Sequence, residues 1–105
     1  MNGRSESISE LARYLKLRTR LLDRLMVLHV SVAEAERTRQ AILHRTKKAA
    51  NWKVSDEELE HEWNKTDQAK QEAALKQLIR EAESMHRRLN NLIRSLRDRD
   101  GSAQQ

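Results

Sequence analysis

The sequence predicts an all-α chain, a long antiparallel two-helix hairpin of coiled-coil type that assembles into a four-helix bundle. Three observations carry this expectation. The 105 residues contain no proline, no phenylalanine and only two glycines, while Leu, Ala, Glu, Lys, Arg and Gln dominate, the residues that lose least on entering a helix. Apolar residues recur at heptad spacing in both halves of the chain. Between those halves, residues 51–55 combine a helix-stop with a helix-start signal. At this length the chain is a single helical-hairpin domain, 1–105, with much of its surface left exposed.

Helix one is expected over about 8–50. Ser7 with Glu10 three residues on makes a capping box, and Lys47 and Lys48 suit the negative helix end before Asn51, the C-terminal cap. The turn occupies about 51–55. A continuous helix through "AANWKVS" and an extra break near Ser31 are the alternatives, ranked below the hairpin. Helix two, about 56–100, opens on the clearest signal in the chain. Ser55 and Glu58 form a capping box, Val54 and Leu59 hold the staple positions, and Asp56 and Glu57 favour the positive helix end. Gly101 is read as its stop and 101–105 as a frayed tail.

The seam of helix two is read as Leu75, Leu78, Ala82, Met85, Leu89, Leu92 and Leu96, widened by Ile79 and Ile93. A stutter with locally unwound packing is expected at 66–74, where the register shifts from Leu59 and Trp63. In helix one Leu11, Leu15, Leu22, Leu25 and Val32 form the matching seam, with Arg18 and His29 as polar members. Folding at 50–55 sets residue i near residue 105 minus i, so Leu11 faces Ile93 and Leu22 faces Met85. The basic run Arg37 to Lys53 would then face the acidic run Asp56 to Glu72, which accounts for the basic run internally.

Between Leu21 and Ala33 apolar residues go most of the way round helix one, more than a single seam covers. Leu17, Leu21 and Leu28, with Tyr14 and Ala35, are read as a second stripe. The assembly interface expected from this is Tyr14, Leu17, Leu21, Leu25, Met26, Leu28 and Val32. A second copy is the simplest cover, giving a homodimer, and an obligate helical partner protein is the rival.

No catalytic, cofactor or metal site is expected. Cysteine is absent, which removes disulfides, thiolate ligands and a thiol nucleophile. Glu58 with His61 and Glu83 with His86 have the Glu-x-x-His spacing of di-metal bundles, but the opposite helix offers them no carboxylate in register, and chance in a Glu-rich chain is the better account. His29 is read as a packed structural histidine, and Trp52 and Trp63 as closing the end of the bundle. The net charge of +5 gives a second reading, in which Arg13, Arg20, Arg80, Arg87 and Arg94 follow the phosphates of a nucleic acid. No aromatic interleaving and no known motif accompany it. The polar N-terminus "MNGRSESISE" and the charges interrupting the apolar stretch point to an intracellular, cytoplasmic protein with no membrane association and no small-molecule substrate.

In length, in hairpin form or over a short run the chain resembles three helical families, and none of them maps onto it. Small secreted proteins with a Trp-x-Gly turn need a glycine where Val54 follows Trp52 and Lys53. The run "ARYLKLRT" resembles the start of plasmid repressor-of-primer proteins over eight residues only. The substrate-binding charges of helical chorismate mutases have no counterpart in helix one. The sequence is therefore assigned to no family and is expected to be a non-enzymatic helical interaction module, a scaffold, adaptor or regulatory subunit, with a small basic nucleic-acid-binding dimer as the alternative.

Overall fold

A computed structural model describes the backbone of residues 3–104 and the side chains of residues 8–99. Among these the chain is helical, with no strand: α1 spans Gly3–Ala49, α2 Asp56–Asn64 and α3 Asp67–Gln104. Two long helices are thus joined through a short one, where two were expected.

The helix ends show why. α1 begins at Gly3 and passes through Ser7, since a cap worth ~1 kcal/mol favours a start at its position without forbidding helix before it. It also runs unbroken past Ser31, whose hydroxyl donates to the Val27 carbonyl at 3.0 Å and so takes the side chain out of competition for a new helix start. α1 ends in a Schellman motif. The Trp52 N–H donates to the Lys47 carbonyl at 2.9 Å and the Asn51 N–H to the Lys48 carbonyl at 3.1 Å. Asn51 takes φ 55° and Trp52 φ 62°, both left-handed, so the chain turns here instead of continuing as one helix.

Ser55 then starts α2 in extended conformation, its Oγ accepting the Glu58 N–H at 3.1 Å. The expected second helix is interrupted at Lys65 and Thr66. Thr66 caps α3, its Oγ1 donating to the Trp63 carbonyl at 2.6 Å and accepting the Ala69 N–H at 3.2 Å. No Gly or Pro marks this break, which sits at the edge of the expected stutter. At the far end α3 continues through Gly101 to Gln104, because glycine costs ~1 kcal/mol in a helix interior without forbidding it.

The chain divides into two compact units. The turn unit, Val27–Ile79, is a hairpin with Leu28, Leu59, Trp63 and Ile79 buried. Its two legs run antiparallel, as the ion pairs Lys47 with Asp56, Arg39 with Glu72 at 3.8 Å and Glu36 with Lys76 at 3.7 Å show in succession. The basic run and the acidic run therefore do meet. The register differs from simple fold-back, which would set Arg39 beside Thr66, because the leg from Asp56 to Glu72, which holds the Lys65–Thr66 step, uses more chain than the leg from Lys47 to Arg39.

The terminal unit comprises Met1–Met26 and Arg80–Gln105. Its core is Leu25, Ala82, Leu89, Ile93 and Leu96, with Ile93 only 2% exposed. Arg18 Nη1 donates to Asn90 Oδ1 at 3.2 Å, and the Asn90 amide stands 3.4 Å from His86 Nδ1. Arg18, expected as a polar member of the seam, thus finds its partner there in an amide.

Candidate assembly surface

Which apolar residues remain free depends on which ones the core takes. On the α3 side of the terminal unit the inward residues are Ala82, His86, Leu89, Ile93 and Leu96, alternating by four and three. Met85 and Leu92 stand one position aside and are exposed. In the turn unit the same holds for Ile79, buried, against Leu78, exposed. Leu78, Met85 and Leu92 are expected in the seam from strict heptad spacing, and the structure moves the seam toward Ile79, His86 and Ile93. His86 is tolerated inside because Asn90 gives its ring a polar neighbour.

On α1 the inward residues of the terminal unit are Leu11, Tyr14, Arg18, Leu21 and Leu25, again in steps of three and four. Of the residues expected at an interface between chains, several also pack within this one. Leu25 is buried, and Tyr14 and Leu21 are half-buried on its face. In the turn unit Leu28 is buried and Val32 half-buried. Of the seven expected interface residues, Leu17 and Met26 are exposed. His29, expected within the seam, is exposed.

Among the described residues of the terminal unit two apolar surfaces stand out. The first is a stripe on α1 beside the seam, made of Ile8, Leu15, Leu22 and Met26. Leu15 is half-buried, whereas Ile8 is 55%, Leu22 46% and Met26 63% exposed. Seven-residue spacing from Ile8 to Leu22 keeps them on one flank. The second is a groove of about 270 Å³ lined by Leu17, Arg20, Leu21, Arg24, Met85 and Leu89. In the turn unit Val27 and Val30 are also exposed, as is Trp52, whose ring meets that of His44 edge-on at 5.5 Å. Trp63 is buried, so one of the two tryptophans closes the core and the other faces outward.

The charged surface is segregated. Residues 1–26 and 80–105 hold twelve Lys and Arg against seven Asp and Glu, whereas residues 27–79 hold nine of each, so the whole formal charge of +5 belongs to the terminal unit. Arg13, Arg20, Arg80, Arg87 and Arg94 all lie there and all are exposed. They occupy two separate helices, Arg13 and Arg20 on α1 and the other three on α3.

Among the described residues the most buried ionisable group is in the turn unit. Glu72, 5% exposed, takes an inward position of α3 with Lys76 Nζ at 3.4 Å and Arg39 Nη2 at 3.8 Å from its Oε1. That oxygen accepts no hydrogen bond among the described residues. Glu36 joins Lys76 from the other leg, so the cluster is a structural ion network holding register. Among the described residues no three His, Cys, Asp or Glu side chains converge as metal ligands, and no helix is long and apolar enough to cross a membrane. Compared with models of known protein families, with curated proteins and with solved structures, the chain matches none.

Proposed function

We propose that this protein is a non-enzymatic helical interaction module, a scaffold, adaptor or regulatory subunit, that assembles into a four-helix bundle and acts through the surface the assembly presents. The observation that carries this reading is the α1 stripe of Ile8, Leu15, Leu22 and Met26. Complete burial of such a side chain from full exposure is worth ~1.5–3 kcal/mol, of which these part-exposed residues still forgo a share, and contiguous stripes of this kind mark contact surfaces. A second copy of the chain is the simplest cover, because two such stripes pack against each other about a two-fold axis.

The experiment is the absolute mass by light scattering after size exclusion, over a dilution series and at low and high salt. Met26→Asp and Leu22→Asp, both on exposed positions, should lower the mass to one chain while helicity is kept. Leu25→Asp, one residue away but buried, should instead cost helicity. A mass of one chain for the unaltered protein, at all concentrations, would sink self-assembly.

A second reading, a small basic helical dimer that binds nucleic acid, is favoured by one observation, the confinement of the net charge and of the five exposed arginines to the terminal unit. Phosphate binding should weaken steeply with added salt and with Arg80, Arg87 and Arg94 changed to Gln. Apolar assembly should respond to neither.

A further inference from the structure

The groove of the terminal unit lies apart from the α1 stripe, since Leu17 and Leu21 are on the opposite flank of α1 from Leu15 and Leu22. Its floor is apolar, from Leu17, Leu21, Met85 and Leu89, and its only charged lining residues are Arg20 and Arg24. At about 270 Å³ it is below the ~300–1,000 Å³ usual for small-molecule pockets. A row of side chains from a helix laid along it suits it better. Leu17 and Met85 are themselves exposed, 42% and 55%, so the groove is open along its length.

We infer that this groove docks an acidic amphipathic helix of a different protein, its apolar face on Leu17, Leu21, Met85 and Leu89 and its carboxylates on Arg20 and Arg24. Charge decides between occupants. A second copy meeting the groove with the same surface would bring arginine against arginine in a unit that already carries the entire net charge. A nucleic acid would satisfy the arginines and leave the apolar floor against sugar and phosphate, without aromatic side chains on which its bases could stack. An acidic helix satisfies both floor and rim.

This inference rests on the interaction-module reading, and the test keeps the two apart. The probe is a labelled peptide of about three heptads, ~30 Å as a helix, with Leu at its seam positions and Glu beside them. Its controls replace the Leu by Ala, or the Glu by Lys, and a single-stranded oligonucleotide is the competitor. Binding followed by anisotropy should require both Leu and Glu in the probe. Leu17→Glu and Met85→Glu should each weaken it about tenfold or more. Arg20→Glu with Arg24→Glu should do the same and transfer preference to the Lys probe. All four positions line an open groove, so circular dichroism of the variants should match the parent. Equal binding of the Ala probe, indifference to these substitutions, or displacement by the oligonucleotide at lower concentration than by unlabelled peptide would each overturn the inference. Light scattering separates the outcomes. Met85→Glu should leave the assembled mass unchanged, and a fall to one chain would mean that a second copy covers the groove, ending this inference while keeping self-assembly.

Discussion

Leu92 and Ile93 are adjacent and equally apolar, yet Leu92 is 47% exposed and Ile93 2%. Hydropathy cannot rank them; only the position of the neighbouring helix does. Ile93→Ala should therefore cost ~2–5 kcal/mol by transfer and cavity terms, against within about 1 kcal/mol for Leu92→Ala, where no cavity forms. Urea unfolding of the two variants measures this, and equal losses would mean that the seam runs between them. Ser55→Ala should cost ~1 kcal/mol, since Ser55 Oγ is what accepts the Glu58 N–H at the start of α2. No measurable loss would mean that the cap is redundant with water. These effects are local, and none of the three variants should alter the assembled mass.

Elements are where sequence reading succeeded and failed for identifiable reasons. The helical class and the turn at Asn51 to Ser55 were legible because they rest on local chemistry, a residue tolerant of positive φ succeeded by a capping serine. Thr66 also caps a helix, but inside a polar segment with no breaker, so its signal, a Thr before Asp67, is no stronger than several others in the chain. The seam positions were legible only to within one residue, since α3 carries apolar residues both at Leu78, Met85 and Leu92 and at Ile79 and Ile93. What tips the balance are polar residues that sequence reading places outside a core. Glu72 is the clearest of these, an inward carboxylate held by Lys76 and Arg39. Glu72→Leu should leave stability unchanged or raise it, because the carboxylate's desolvation cost goes while Arg39 and Lys76, both part-exposed, keep access to water and Lys76 keeps Glu36. Arg39→Ala combined with Lys76→Ala should instead strand the carboxylate and cost about 1–3 kcal/mol, less than a fully buried pair because both cations are part-exposed. Thermal unfolding orders the three proteins, and a Glu72→Leu variant less stable than the double variant would refute the account.

At the scale of the whole molecule the two units differ in how the chain builds them. The turn unit is one continuous segment, Val27–Ile79, whereas the terminal unit joins the two ends of the chain. Lys47 and Asp56 are separated by 9 residues, and Arg18 and Asn90 by 72. Loop closure grows by about 0.6 kcal/mol for each doubling of length, so the terminal contact, formed first, carries ~1.8 kcal/mol more entropic cost than the turn contact. Once the turn unit is formed most of that cost has already been met. Folding should therefore nucleate in the turn unit and spread to the termini. Leu59→Ala and Ile93→Ala each remove a buried side chain and should destabilise to a similar extent, but their kinetics should part. Leu59→Ala should mainly slow folding and Ile93→Ala mainly speed unfolding, since the first site is structured in the transition state and the second is not. Stopped-flow urea chevrons at a protein concentration low enough to keep single chains read both arms, and the opposite partition would place the nucleus at the termini. The unit expected to form last is the one that carries the exposed stripe, the apolar groove and the whole net charge, where a partner's binding energy would add most to its order.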